Sequence, residues 1–246
     1  MGKHRKKGFS SYIGRYIIVL TSWVILTTLL VGISAPLVDS YEYPVLPSSF
    51  DTKITVILDP GHGGEDGGAI GINGTPEKDL NLSIALFMKD LLSAAGVPVV
   101  LTREDDRMLY DPQSDYHGHK KTQDLANRRR IAEQYPSAIF VSIHMNAYPL
   151  SQYHGLQVWY SPNNPQSQML AESVRSMISG TLQKENDRQC KCATSSIYLL
   201  HHLEMPAILV ECGFLSNPEE AALLATEDYQ RTLARLLFLA IMEYQT

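Results

Sequence analysis

Two histidines and two carboxylates stand where an alternating strand and helix sequence places its chemistry. His62 follows the apolar run Ile54-Thr55-Val56-Ile57-Leu58, inside the loop "DPGHGG". His144 ends "AIFVSIH" and Glu211 ends "AILVE". Glu77 opens the stretch after Thr75-Pro76, 15 residues beyond His62 (77 minus 62), a gap long enough for the loop to fold back. Two imidazoles and one carboxylate, from His62, Glu77 and His144, make a zinc set, and catalytic zinc sites leave a fourth position to water. Binding to the metal lowers the pKa of that water from about 15.7 to about 7. Glu211 is the candidate general base, acting afterwards as acid toward a leaving group.

Taken singly, each residue has a plainer reading. A histidine among glycines is often a turn residue, and His144 could be a core histidine bonded to backbone. Glu77 falls where a helix dipole favours acids, and Glu211 could be paired with an arginine. Four such coincidences on one edge are harder to sustain, because open α/β sheets collect their chemistry at the carboxyl ends of strands.

The elements that must position these groups are short and apolar. Strands are expected at Ile54–Asp59, Val97–Thr102, Ala138–His144, Gly155–Tyr160 and Ala207–Glu211, rich in Val and Ile as strands covered on both faces should be. Between them, Leu80, Ile84, Phe87, Leu91 and Ala95 form one helix face that stops at Gly96. Leu170, Val174, Met177, Ile178 and Leu182 form another, and the run from Tyr229 to Tyr244 forms a third. Thr75-Pro76, Asn164-Pro165 and Asn217-Pro218 each read as a helix cap followed by proline in the first turn. A weaker helix is expected over Thr122 to Tyr135, with Arg128-Arg129-Arg130 on a solvated face. The polar stretches Asp105 to Lys121 and Lys184 to Ser196 read as surface loops. The alternation implies an α/β fold, a single domain with a mainly parallel sheet and helices on both sides.

The chain is 246 residues long, which suits one sizeable domain. Its net charge of -5 hides an asymmetry. Residues 1–40 carry five basic groups and one acid, so the remainder holds 16 bases against 25 acids, a net of -9. An acidic body argues against binding nucleic acid through its phosphates. Residues 1–15 form a basic flank expected in the cytoplasm, and residues 16–38 carry no charge. A span of about 20 residues crosses the hydrocarbon layer, so this run is expected to hold the protein in the membrane with its body outside. Its length favours an uncleaved signal anchor over a cleaved signal peptide, for which Gly32-Ile33-Ser34 could supply the site. Residues 39–52 read as a linker and 53–246 as the catalytic domain. Cys190, Cys192 and Cys212 are an odd count with no zinc-finger or Cys-x-x-Cys spacing, and read as free thiols.

Other motifs fail. The glycine loop lacks the Lys-Ser/Thr of a P-loop, and as a dinucleotide fingerprint it breaks at Asp66. There is no His-Glu-x-x-His helix and no Gly-x-Ser-x-Gly elbow. His117, His119, His154, His201 and His202 read as surface or structural.

In order and spacing, "ILDPGHGGEDGGAIG", "EKDLNL", "LTREDD", "FVSIHMNA" and "PAILVECGFLSNPEE" resemble the zinc-dependent N-acetylmuramoyl-L-alanine amidases of bacterial cell walls. The resemblance runs from about Ile54 to the C-terminus. It implies zinc on His62, Glu77 and His144, Glu211 as the catalytic residue, peptidoglycan as substrate, and a central sheet of about six strands flanked by helices. The short form, the N-terminal anchor and "SIYLLHHLEMPAILVECGFLSN" look most like the germination-specific members of spore-forming bacteria, which prepare spore cortex for muramic lactam formation. The sequence carries no inhibitory helix insertion of the kind that regulates the cell-division amidases, which leaves a protein partner as a hypothetical regulator. The loops at 105–121 and 184–196 are expected to hold the stem peptide. Two other classes stay open: a peptidoglycan-binding protein without activity, and a zinc peptidase acting within the stem.

Overall fold

The computed structural model describes residues 54–113 and 119–245. The flank, the expected anchor at 16–38, the linker and His117 lie outside these residues. Among the described residues, no helix is long and apolar enough to cross a membrane.

Six strands form one sheet: β1 (Val56–Pro60), β2 (Val99–Leu101), β3 (Ile139–Asn146), β4 (Gln157–Tyr160), β5 (Lys191–Cys192) and β6 (Ala207–Phe214). Their order across the sheet is β2-β1-β3-β6-β4-β5. The pairs β1–β2, β1–β3, β3–β6 and β4–β5 are parallel, and β4 runs antiparallel to β6. The five expected strands are all present with shifted ends. Strand β5 falls inside the stretch 184–196, read above as a loop. Lys191 and Cys192 carry no apolar pattern, and what makes them a strand is their pairing with Trp159 and Tyr160.

Because side chains alternate along a strand, the sheet has two different faces. Val56, Leu58, Val141, Ile143, Ile208 and Val210 point into the larger core. That core is closed by the helices α1 (Glu77–Ala94), α3 (Gln166–Thr181) and α6 (Glu227–Tyr244). Ile57, Phe140, Ala207 and Leu209 point into a smaller one. It is covered by α2 (Lys120–Glu133) and the short α4 (Tyr198–His202). The next residues along this second face are Asp59, Ser142, His144 and Glu211, so the thinner layer leaves the candidate groups reachable.

Two of the three expected helix caps are made among the described residues. Asn217 and Asn164 cap as read: Asn217 accepts the Glu220 N–H at 2.9 Å ahead of Pro218 in α5 (Pro218–Leu224), and Asn164 Oδ1 accepts the Gln166 N–H at 3.0 Å across Pro165. Helix α1 begins one residue later than Thr75 implies, with no side-chain cap. At α1 the N–H groups of Glu77 and Lys78 bond instead to the carbonyls of Ala69 and Gly67, at 2.9 and 3.2 Å. The preceding loop itself takes up the free donors of the first turn.

The arginine run is not uniformly solvated. Arg128 is 1% exposed, while Arg129 pairs with Glu133 at the surface. Helix α2 buries Asp124, Arg128 and Ala132, a four-residue spacing that a triple-arginine run conceals. The Arg128 guanidinium reaches Asp59 and Asp124, each at 2.8 Å. Asp59 also accepts hydroxyl bonds from Thr102 and Ser142, each at 2.7 Å. Burial works against charge on Asp59, but Arg128 and the two hydroxyls hold its pKa below the ordinary value. Arg128→Met would leave two carboxylates unpaired in the interior. Urea denaturation should show a loss of about 3–5 kcal/mol, against less than about 0.5 kcal/mol for Arg129→Ala at the surface.

Candidate metal centre

The loop after β1 is held by its carbonyls. Arg128 donates to the carbonyl oxygens of Pro60 (2.7 Å) and His62 (2.6 Å). Arg103, also 1% exposed, donates to those of Pro60 (2.9 Å), Gly61 (3.0 Å) and Lys78 (2.8 Å). Two buried guanidiniums thus pin three consecutive residues and the first turn of α1. Under that grip His62 takes a left-handed backbone with φ of 61°, a conformation that side chains other than glycine adopt rarely.

Two glycines make room for the rings. A Cβ on Gly61 would lie 2.2 Å from the His144 ring, and one on Gly68 would lie 2.5 Å from Glu77 Oε2 and 2.8 Å from His62 Cδ2. Any side chain at either position would occupy the space of a candidate ligand.

With these constraints in place, His62, Glu77 and His144 converge. Glu77 Oε1 lies 2.9 Å from His144 Nδ1 and 3.3 Å from His62 Nε2. One donor atom from each residue falls within 4.8 Å of the other two, a group able to hold a metal ion. Glu77 is oriented by its surroundings. Its Oε2 accepts the Ala69 N–H at 2.8 Å, and its Oε1 accepts the Met145 N–H at 3.1 Å and the Asn81 amide at 3.3 Å. Burial alone would raise the Glu77 pKa, but His144 and His62 hold it far below the usual carboxylate range. Burial likewise disfavours a charged His62, yet Glu77 and Asp66 outweigh it and raise the ring's pKa. An ionised carboxylate between two imidazoles is the donor chemistry that a divalent cation requires.

Glu211 comes from the neighbouring strand. It is the register partner of His144 across the parallel β3–β6 pair, so both side chains emerge on the same face. The two line one cavity of about 250 Å³ together with His62, Ser142 and Tyr198. Glu211 Oε2 is buried and makes no hydrogen bond among the described residues. Burial, with a contribution from the Glu77 charge, pushes its pKa up to about 8. A carboxyl without a partner beside a ligand cluster is available for proton transfer, unlike Asp59, whose oxygens are taken.

The remaining histidines do not join. His119 precedes α2, His201 and His202 end α4, and His154 lies in the loop before β4. The cysteines are free, with Cys212 buried and Cys192 exposed. Three contributors were missed in the sequence. Asp66 Oδ2 lies 2.9 Å from His62 Nδ1, on the far side of the ring from Glu77, although outside hydrogen-bond geometry. Its position four residues after His62 was the available signal. Arg103 sat in the quoted "LTREDD" stretch without a role, and Arg128 was hidden in its run.

Residues 56–243, which include all four candidate groups, match the N-acetylmuramoyl-L-alanine amidase family. The chain belongs to that family. It is 35% identical over 208 residues to the germination-specific N-acetylmuramoyl-L-alanine amidase of Bacillus subtilis (strain 168), with 85% of each chain covered. Among solved structures it resembles the CwlD amidase from Clostridioides difficile in complex with the GerS lipoprotein. The identity is 39% and the TM-score 0.74, over 78% of this chain and 98% of that one. The amidase AmiC2 of Nostoc punctiforme is 33% identical with a TM-score of 0.67, over 78% and 97% of the respective chains.

The Glu211 environment has a measurable consequence for this amidase. A carboxyl whose pKa rises on folding, here from 4.5 to about 8, costs stability progressively as pH climbs through that window. In metal-stripped protein, Glu211→Gln should therefore raise the melting temperature at pH 8 and leave it unchanged near pH 4. Thermal denaturation across pH with a chelator present checks this, and an equal shift at both ends would rule out the raised pKa.

Proposed function

We propose that this amidase hydrolyses the amide between N-acetylmuramic acid and L-alanine in peptidoglycan, with zinc held by His62, Glu77 and His144 and with Glu211 as the catalytic acid and base. The observation that carries the reading is the convergence of two imidazoles and one buried carboxylate within 4.8 Å, with an unpartnered acid on the adjoining strand. The donor set suits zinc, which takes imidazole nitrogen and carboxylate oxygen in sites of low coordination number. When bound, the ion supplies Lewis acidity toward water and the scissile carbonyl.

The chain's own groups do the rest. Glu211 takes a proton from the attacking water at its free oxygen and delivers it to the departing alanine nitrogen. Its pKa near 8 in the metal-free chain favours a group able to hold the proton between these two events. Glu77 is fixed through both oxygens, so it is suited to ligation and not to carrying protons. Asp66, behind the His62 ring, sets a negative charge beside its Nδ1.

The finer biology rests on likeness and on the N-terminus. The relative in Bacillus subtilis is germination-specific by name, which supports a role in spore cortex maturation and muramic lactam formation. The basic flank and the uncharged run at 16–38 support a body on the outer side of the membrane, held by a signal anchor. The CwlD relative was solved with the GerS lipoprotein, which supports a regulatory protein partner here.

Glu211→Gln should retain one equivalent of zinc by elemental analysis and lose turnover by about a thousandfold. His62→Ala and His144→Ala should lose the metal, and stoichiometric zinc in either variant would refute the ligand set. Mass spectrometry of the products decides the reaction. Bare muramic acid with an intact stem bearing a free alanine amine is expected, whereas shortened stems would show a peptidase and unchanged wall a binding protein.

A further inference from the structure

A second cleft opens beside Glu211, over β4 and β5. It encloses about 290 Å³ and is lined by Tyr148, Tyr153, Trp159, Phe214, Arg188 and Lys191, with Gln157 on its floor. Gln157 is the antiparallel register partner of Glu211, so the floor of this cleft begins one strand from the proposed proton carrier. The walls are aromatic and the charge is cationic. The Arg188 guanidinium lies 4.8 Å from the Phe214 ring centre and 5.7 Å from that of Tyr153, and Lys191 Nζ lies 5.3 Å from that of Trp159. Among the described residues neither cation forms an ion pair. The buried acid Glu220 is occupied by the N–H groups of Gly155 and Phe214.

Arg188 and the segment leading to Lys191 sit on a built support. Gln157, only 2% exposed, donates its amide to the Gln189 carbonyl at 2.7 Å. Asn186 donates to the Leu156 carbonyl at 2.9 Å and accepts the Arg188 N–H at 3.1 Å. Arg188 Nε donates to the His154 carbonyl at 3.0 Å, and its guanidinium lies over two rings that line the cleft. A held guanidinium and a lysine over Trp159, neither in an ion pair, in a body of net charge -9 need a reason, and an anion is the ligand that supplies one.

We infer that this cleft binds the stem peptide on the amine side of the scissile bond, with Arg188 and Lys191 receiving a free carboxylate of the stem. The inference rests on the amidase reading and gives it a substrate requirement. Lys191 lies two strands and two residues from Glu211, on the order of 10 Å by ordinary sheet spacings. An extended chain covers about 3.3 Å per residue, so the carboxylate belongs to the second or third residue of the stem. The aromatic walls pack its aliphatic portions.

The test uses full-length, zinc-loaded protein and two soluble N-acetylmuramoyl peptides that differ only in whether those stem carboxylates are free or amidated. Wild type should show a KM at least about tenfold lower for the free carboxylates. The double variant Arg188→Gln, Lys191→Gln should erase that difference by raising KM for the free form, with kcat changed less than twofold. Arg188→Lys, which keeps the charge and loses the fork, should fall between and serves as the folded control. Equal KM values in wild type, or equal losses on both substrates in the variant, would overturn the inference. Calorimetry with the free stem peptide gives a readout independent of turnover: wild type binds it and the double variant does not. Failure of wild type to release stem from either substrate would refute the amidase reading, and the calorimetric difference would still decide the cleft.

Discussion

The site depends on a constraint that touches none of its candidate ligands through their side chains. Two arginines, each 1% exposed, hold the carbonyls of residues 60 to 62 and so fix the direction in which the His62 ring leaves the backbone. A buried guanidinium is costly to dehydrate, and it is stable here because nearly every donor has an acceptor. Asp59 completes the arrangement by bringing a full negative charge under the loop it belongs to. A neutral side chain in place of either arginine would leave carbonyls unsatisfied and a left-handed residue without support. The charge network and the strained backbone are therefore one device.

Much of this was legible in the sequence, and what was not has physical causes. His144 and Glu211 end apolar runs, and the rule that parallel strands gather chemistry at their carboxyl ends is enough to place them together. Glu77 was readable from the proline that precedes it, although the cap that holds α1 is the backbone of residues 67–69 and not Thr75. The role of Arg128 was invisible, because local pattern reads Arg128-Arg129-Arg130 as one polar face and only tertiary packing distinguishes the first from its neighbours. Strand β5 was equally hidden. Two residues have no periodicity to detect, and their pairing with β4 is made by contacts distant in sequence.

The distribution of charge around the site is uneven. On one flank Asp59, Asp124 and Arg128 balance one another in the interior. On the other, the described residues give Arg188 and Lys191 aromatic rings and a carbonyl as close neighbours, with no ion pair. A polymer whose peptide branches carry carboxylates meets an acidic protein body that would repel it almost everywhere else. Local positive potential in the cleft beside Glu211 can orient such a branch before any close contact forms.

The pairing of β3 with β6 has a consequence for how the chain matures. His144 and Glu211 face the same way only because these strands meet in one alignment. Displacing β6 by a single residue would send the glutamate into the larger apolar core, and displacing it by two would carry it about 7 Å along the sheet. A charged or polar side chain forced among Val141 and Ile143 is so unfavourable that the misaligned chain would not persist. The ladder of backbone bonds thus acts as a proofreader: a molecule that has closed its sheet has already measured the spacing between the candidate metal ligand His144 and the acid beside it.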